Sequence, residues 1–282
     1  MSSNAGTPRR LNVTVRCSLG EVCEAAALLK PRHESIVRNA GFGCVFDWVL
    51  KANVSRLLIC YFMKKIDTNT MCIDCGPNKV LAICREVVHQ VFGFPMGDNT
   101  APRPADSGHD ESMVRFKSEL GFSKAAVVDT KDLRNALKLL VEDFSKDHLA
   151  VKVFFAILFS KLICPGPAVR IGREVGMLDG IVFTDMATMD FCQLVVDELK
   201  RAAVKWQDPN IIQAGPEGCG VLPVVMYLDC CFSKGLSVMH VDVPRANFLT
   251  EKLLSSIYLK DIVKKGGKDL DSRVFGKLGV SF

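Results

Sequence analysis

The chain has 282 residues, a formal net charge of +5 and a hydrophobic fraction of 49%. A composition this apolar excludes an intrinsically disordered protein, because the chain can bury enough apolar surface to offset the entropy lost on folding. Lysine and arginine are scattered among carboxylates, so the modest positive charge does not indicate a nucleic-acid-binding protein and leaves direct nucleic-acid binding open.

The twelve cysteines do not indicate a disulfide-rich secreted protein. Most of them lie in apolar runs, as in Leu58–Phe62 and Leu162–Pro165, where a free thiol packs as a small hydrophobic group. The first ten residues lack the apolar segment of a signal peptide. We therefore expect a nuclear or cytoplasmic protein that is not secreted. The longest apolar run, Ala150–Ile163, is too short to span a bilayer and predicts a buried helix without membrane contact.

In the N-terminal part, residues 1–10 predict a disordered tail, and Pro31–Asn39 predicts a short helix that ends at Gly41. Apolar residues then recur at three- and four-residue steps from Val45 to Phe62, which predicts one longer helix. Residues Met71–Gly97 predict a strand, a turn at Gly76–Asn78, a second strand at Lys79–Ile83 and a short helix that Gly93 and Pro95 end. Cys84 stands at the start of this helix, where a capping oxygen is preferred.

The C-terminal part predicts a series of helices after a polar loop at residues 98–112. The expected helices are one opened by Thr130 with a good N-cap, one over Leu149–Ile163, one capped by Asp185 or Thr188 that runs to about Trp206, one within Val221–Phe232, and one started by Asn247 or Thr250 over Leu253–Val263.

These elements predict a mainly α fold, an irregular helical bundle with one small β-hairpin near residues 70–83. The predicted organisation has five parts: a disordered tail (1–10), an N-terminal helical lobe with the hairpin (11–97), the polar loop (98–112), a C-terminal helical lobe (113–263) and a poorly specified tail (264–282). One continuous domain over residues 30–263 is the alternative.

The motifs that could indicate metal or nucleophile chemistry are incomplete. Cys72 and Cys75 supply two of the four ligands of a structural zinc site, and the only histidine close in sequence is His89. Asp74-Cys75-Gly76 matches the nucleophile motif of cysteine proteases of the Ulp1 type (SUMO proteases), which also requires an upstream base. The only upstream histidine, His33, lies in a segment that predicts a solvated helix start. We expect no catalytic and no metal-binding residues.

Cofactor motifs are also incomplete. Gly215–Gly220 predicts a loop before an apolar helix and not a pyridoxal phosphate site, and Lys265–Lys268 lacks the strand and hydroxyl residue of a nucleotide-binding loop. We expect no cofactor. The best basic cluster is interleaved with carboxylates and predicts a solvated face. It consists of Lys260, Lys264, Lys265, Lys268 and Arg273.

Several short motifs, taken in order, resemble the aminotransferase-like plant mobile domain family, whose members derive from transposons and are sometimes fused to Ulp1-type protease domains. The resemblance extends from about residue 30 to residue 260, and Cys84, Phe94 and Phe62 depart from the family pattern. The matching segments are Gly41–Gly43, Leu58–Met63, the hairpin, Ile83–Val88, Gly93–Gly97, Leu162–Gly166, Asp197–Leu199, Leu222–Pro223, Tyr227–Asp229 and Pro244–Arg245.

The resemblance implies a non-enzymatic nuclear module that acts through protein partners, phosphatase-like or chromatin-associated, in silencing, genome stability or meristem maintenance. The residues themselves support an interaction module, because they show apolar helices without a convergent titratable cluster. Two alternatives stay open at this point: a degenerate fragment associated with an Ulp1-like cysteine protease, with Cys75 as its thiol, and a transposon-encoded protein without a cellular role.

Overall fold

The computed structural model describes residues 14–51, 54–75, 80–103, 110–166, 172–232, 243–261, 263–264, 273–274 and 279–280. The predicted tail at residues 1–10, the turn at Gly76–Asn78 and the motif at Lys265–Lys268 lie outside these residues, as do parts of the predicted loop at 98–112 and of the tail at 264–282.

The predicted mainly α fold is confirmed. The α-helices of the described residues are α1 (Leu19–Ala26), α2 (Pro31–Asn39), α3 (Arg56–Lys65), α4 (Arg85–Phe92), α5 (Asp110–Glu119), α6 (Thr130–Leu140), α7 (Asp147–Leu158), α8 (Arg173–Met177), α9 (Phe191–Gln207), α10 (Val221–Cys230) and α11 (Glu251–Asp261). Short 3₁₀ turns lie at Gly43–Phe46, Phe144–Lys146, Phe183–Thr188 and Arg245–Asn247.

The strands are short, with two or three residues each. They are β1 (Ile66–Asp67), β2 (Cys72–Asp74), β3 (Val80–Ala82), β4 (Asn99–Thr100), β5 (Met189–Asp190), β6 (Cys231–Phe232), β7 (Val263–Lys264), β8 (Arg273–Val274) and β9 (Gly279–Val280). The predicted hairpin is confirmed, because β2 and β3 pair antiparallel, and β1 adds a third strand beside β2. β4 pairs parallel with β5, and the pairs β6–β9 and β7–β8 are antiparallel.

The centre of the core is a cluster of buried phenylalanine rings. The ring centroid of Phe42 lies 5.4 Å from those of Phe94 and Phe155 and 5.1 Å from that of Phe191. Such tilted and edge-on contacts add to the stabilisation that burial of the rings provides. Phe42 and Phe94 precede the predicted polar loop and Phe155 and Phe191 follow it, so this cluster connects the two predicted lobes. The division into lobes stays a prediction.

Helix α7 is apolar on all sides and is buried, as the sequence predicts. Every residue of Ala150–Ile163 is buried. The last part of this run, Phe159–Ile163, forms a π-helical turn that the apolar pattern does not predict. Such turns are uncommon and occur often at functional sites.

The prediction of one helix from Val45 to Phe62 is wrong. After the 3₁₀ turn at Gly43–Phe46 the described chain is not helical again until α3 begins at Arg56. The backbone N–H groups of Val49 and Leu50 both donate to the carbonyl of Ala246, each at 3.1 Å. A helix would use these N–H groups internally, so a tertiary partner has replaced the helical bonds that the apolar spacing predicts.

Two helix caps also differ from the predictions. Asp129, not Thr130, caps α6, since its Oδ1 accepts the N–H of Asp132 at 3.0 Å. Asp190, rather than Asp185 or Thr188, caps α9, and its Oδ1 accepts the N–H of Gln193 at 2.8 Å. In both cases an aspartate next to the first helical residue is the better acceptor for these N–H groups.

Candidate functional site

The C-terminal end of α9 is fixed against the end of α3. The side-chain amide of Gln207 donates to the carbonyls of Met63 and Ile66, both at 2.9 Å. Met63 lies in the last turn of α3, where helix carbonyls have no backbone N–H partner within the helix, and Ile66 directly follows that helix. Gln207 therefore caps α3 and fixes the position of the last turn of α9.

The loop after α9 is held by its own hydrogen bonds. Oδ1 of Asp208 accepts the N–H of Asn210 at 2.8 Å, and the carbonyl of Asp208 accepts the N–H of Ile211 at 3.2 Å. The side-chain amide of Gln213 donates to the carbonyl of Lys205 at 2.8 Å, which brings the loop back onto the helix. This is the pattern of an aspartate-initiated turn and gives the loop one defined conformation.

Three apolar side chains point into solvent at this end of the molecule, and we call them the α9-end surface. The exposed fractions are 52% for Val204, 40% for Ile211 and 100% for Ile212. Single exposed aliphatic residues are ordinary, whereas several on one short, hydrogen-bonded stretch of chain form a candidate contact surface.

The chain after α9 also carries a buried carboxylate, Glu217, which forms ion pairs with α9. Glu217 is only 1% exposed, and it is neutralised by Lys205 and by Arg201, whose Nη1 lies 3.2 Å from its Oε2. Arg201 also donates to Glu198 at 2.8 Å. Burial alone would lower the pKa of Arg201, but the hydrogen bonds to Glu198 and Glu217 outweigh it and raise the pKa. This network ties the last turns of α9 to the following loop.

Two polar atoms near this surface are buried and have no hydrogen-bond partner within the described residues. They are the indole nitrogen of Trp206 and the Oε1 of Gln213. A buried polar atom without a partner costs about 1–3 kcal/mol relative to one that is bonded. Within the described residues, the end of α9 therefore contains two buried polar atoms without hydrogen bonds.

The glycine cluster at Gly215–Gly220 forms a loop before α10, as the sequence predicts. A Cβ atom at Gly215 would lie 1.9 Å from the carbonyl oxygen of Thr14, and one at Gly220 would lie 2.5 Å from Cγ2 of Ile59. The N–H of Thr14 donates to the carbonyl of Ala214 at 2.9 Å. These glycines allow close packing of the loop.

Cys72 and Cys75 both belong to the hairpin region. Cys75 directly follows β2, and its sulfur lies 3.8 Å from the carbonyl of Ile73. His89 uses Nδ1 to bond the carbonyl of Phe94 at 2.7 Å. No three His, Cys, Asp or Glu side chains form a metal-ligand group in the part of the chain that the structure describes.

The expectation that His33 lies at a solvated helix start is wrong, because its side chain is fully buried. Its Nδ1 accepts the N–H of Lys30 at 3.2 Å, so Nε2 carries the proton and donates to Oδ1 of Asp147 at 2.8 Å. Arg32 donates to the same carboxylate and to the carbonyl of Val141. We call this group the His33 network. Both ring nitrogens are engaged, so His33 has no nitrogen available to act as a general base.

Many of the thiols have pKa values above the ordinary value. Burial raises the pKa of Cys44 to about 12 and that of Cys60 to about 11. It likewise raises the pKa of Cys230 to about 11 and that of Cys231 to about 12. These thiols are protonated at neutral pH, which disfavours nucleophilic attack because the thiolate is the reactive form.

Among the described helices, none combines the length and hydropathy that a bilayer span requires. Of the predicted basic cluster, Lys260 is exposed near the end of α11. The side chains of Lys264, Lys265, Lys268 and Arg273 lie outside the described part of the chain.

A family model described as a domain of unknown function (DUF8566) matches residues 15–222, which include α9, the following loop and the start of α10. The chain belongs to this family. No curated protein and no solved structure matches it.

This family assignment makes the predicted membership of the aminotransferase-like plant mobile domain family wrong. The structure shows why the short motifs were not specific. Gly93 ends α4 in a left-handed conformation with φ +78°, and Gly41 follows α2 with φ +84°. Glycines in such positions occur in many unrelated helical proteins. The nuclear, silencing and meristem roles that the resemblance implied lose their support.

Ile211 and Ile212 did not emerge from the sequence analysis as candidate site residues. One signal could have indicated them. The pair follows Asp208-Pro209-Asn210, a turn sequence, and precedes the glycine cluster, which predicts a loop at the two adjacent isoleucines. At least one of two adjacent side chains in such a loop is expected to face solvent.

Proposed function

We propose that this chain is a non-catalytic module that binds another protein through the α9-end surface. The observation on which the proposal rests is the exposure of Val204, Ile211 and Ile212 on a segment whose backbone is already fixed. A preformed apolar contact loses little conformational entropy on binding, so a small surface can contribute useful affinity.

Two observations disfavour the alternative of thiol catalysis. The thiols of Cys44, Cys60, Cys230 and Cys231 have raised pKa values. His33 is engaged at both nitrogens within the His33 network, so it cannot activate a nucleophile at Cys75. The competing proposal of a thiol protease therefore needs a base other than the upstream histidine that its motif calls for.

A matched pair of variants tests the proposal. Ile212→Ser removes the apolar side chain that is most exposed in the α9-end surface, and Leu139→Ser removes an isomeric side chain that is 78% exposed on α6. Both substitutions are on the surface and should change the free energy of unfolding by less than about 0.5 kcal/mol. Both remove an exposed aliphatic side chain, but only Ile212→Ser alters the proposed contact.

The partner is first captured with a photo-cross-linking amino acid at position 212, with position 139 as the control. The affinity of the purified partner is then measured by calorimetry. We expect Ile212→Ser to weaken binding by about tenfold, as the loss of a central apolar contact does. Leu139→Ser should leave the affinity unchanged.

Equal affinities of wild type and Ile212→Ser would contradict the proposed surface. Cross-links only between two copies of this chain would replace the proposed partner with self-association. A separate experiment with a vinyl-sulfone ubiquitin or SUMO probe addresses the protease alternative, and we expect no adduct at Cys75.

A further inference from the structure

A second feature of the molecule, separate from the α9-end surface, is a cavity of about 370 Å³ at the start of α1. It lies between the residues that precede α1, the residues that precede α3 and the π-helical turn after α7. Four cationic side chains line it, against the two carboxylates of Glu21 and Glu24. The cations are Arg16, Lys51, Arg56 and Lys161.

Both carboxylates of the cavity are already neutralised. Glu21 lies 3.3 Å from Nζ of Lys161, a side chain that is itself buried. Glu24 pairs with Arg134, which is not part of the lining. Within the described residues Arg16, Lys51 and Arg56 form no ion pair. Among the described residues, three of the cations that line this cavity therefore have no ion-pair partner.

Arg16 has an unused hydrogen-bond donor in this region. Its Nε atom is buried and has no hydrogen-bond partner among the described residues. The rest of the Arg16 side chain is partly exposed. A buried N–H without an acceptor is costly, and a bound anion would supply the missing acceptor.

The local backbone explains why these cations converge. The N–H of Ser18 donates to the carbonyl of Lys161 at 2.9 Å, which joins the start of α1 to the π-helical turn. A Cβ atom at Gly20 would lie 2.9 Å from the carbonyl oxygen of Lys51, so the glycine lets the Lys51 segment approach α1. Ser18 and Gly20 themselves line the cavity. The positive end of the α1 dipole therefore lies beside the cations.

We propose that this cavity binds a small phosphate-bearing anion. Cavities that hold small molecules measure about 300–1,000 Å³, so this one suits a small ligand and not a polymer. Three unpaired cations exceed the single charge of a carboxylate, whereas a phosphate monoester has about −1.5 to −2 charges at neutral pH. Arginine and lysine are the side chains that recognise phosphate oxygens, and a helix N-terminus adds N–H donors.

Calorimetric titration of the full chain with pyrophosphate, and separately with inorganic phosphate, tests the proposal. Three variants are compared with the wild type: Lys51→Gln and Arg56→Gln in the cavity, and Lys131→Gln on α6 as a control. All three side chains are exposed, so the variants should fold, and circular dichroism verifies this. Lys131→Gln removes the same side chain and the same charge as Lys51→Gln, but away from the cavity.

We expect saturable binding to the wild type and to Lys131→Gln, and affinities lower by about tenfold or more for Lys51→Gln and Arg56→Gln, since each loses a charge-assisted contact. An equal loss in Lys131→Gln would show a non-specific charge effect and overturn the proposal. Absence of pyrophosphate and phosphate binding would overturn it as well. Binding only to vesicles that contain phosphatidic acid would replace the small soluble ligand with a lipid headgroup.

Discussion

The His33 network and the end of α9 are both polar regions that join two helices, but they are completed to different degrees. In the His33 network both imidazole nitrogens and the Asp147 carboxylate have partners at 3.2 Å or less, and the histidine is fully buried. At the end of α9 the ionic base is complete, yet Trp206 and Gln213 each keep a buried atom unpaired in the described structure, and isoleucines face water.

This difference separates a structural network from a candidate contact. A buried polar group that is fully satisfied fixes the packing of its helices and leaves nothing for a ligand to bind. Exposed apolar groups on a fixed loop remain available to a partner, because binding would remove their apolar surface from water. The comparison therefore identifies α2 and α7 as a scaffold and the α9-end surface as the candidate interface.

The largest effect is expected at the ionic base of the α9 end. Glu217→Gln leaves Arg201 and Lys205 facing a neutral group, and we expect it to lower the free energy of unfolding by about 2–3 kcal/mol, less than for a wholly buried pair because both cations reach solvent. Denaturant unfolding measures this change. The control is Glu142→Gln, which removes an ion pair to Lys30 at 2.9 Å between exposed side chains. It should lower the free energy of unfolding by less than about 1 kcal/mol. Equal costs would show that Glu217 does not support the loop.

Asp147→Asn should break the His33 network with an effect of about 1–3 kcal/mol at neutral pH, because it removes the charge that His33 and Arg32 bond. Burial alone would raise the pKa of Asp147, but the hydrogen bonds from Arg32 and His33 outweigh it, so the pKa lies below the ordinary value.

A lowered carboxyl pKa gives this second prediction a pH dependence of known sign. The stabilisation by Asp147 is complete above the pKa of the unfolded chain and is lost as the pH falls through the lower pKa of the folded protein. The unfolding free energies of wild type and Asp147→Asn should therefore converge on acidification, as measured by denaturant unfolding across the acid range. A difference that is independent of pH would contradict the ionic role of Asp147.

The smallest effect is expected for Trp206→Phe. The indole nitrogen has no partner in the described structure, so its removal relieves an unsatisfied donor and offsets part of the lost packing. We expect a change in the free energy of unfolding of less than about 1 kcal/mol. Trp48→Phe is the matched control, since the Trp48 indole donates to the carbonyl of Phe92 at 3.0 Å. Loss of this hydrogen bond should lower the free energy of unfolding by about 1–3 kcal/mol. Thermal unfolding of both variants ranks the two costs, and a larger cost at Trp206 would indicate a partner for its nitrogen.

Most helices of the described chain could be predicted from the sequence, because they combine an apolar stripe with a local stop signal. α2 ends near Gly41 and α4 ends at Gly93, both in left-handed conformations that glycine adopts without strain. The Ala150–Ile163 run is buried as its composition predicts. The segment from Val45 to Arg56 shows the limit, since its apolar spacing fits a helix but the N–H groups of Val49 and Leu50 bond the distant carbonyl of Ala246.

The candidate sites were much less predictable. Arg16, Lys51 and Lys161 are far apart in sequence, and backbone contacts through Ser18 and Gly20 bring their segments to one cavity. His33 was expected in solvent because its neighbours Arg32 and Glu34 are charged, yet Asp147, more than a hundred residues later, gives it a buried partner. No local pattern contains such a pairing.

Local patterns in the chain were enough to predict a mainly helical structure with a small hairpin, because apolar periodicity, glycine stops and turn residues act over short distances. Tertiary structure alone decided which polar groups are satisfied, which cations share a cavity and which isoleucines remain in water. The physical reason is that burial and hydrogen-bond pairing depend on what lies across the fold, and partners such as Val49 and Ala246, or His33 and Asp147, meet only after the helices have packed.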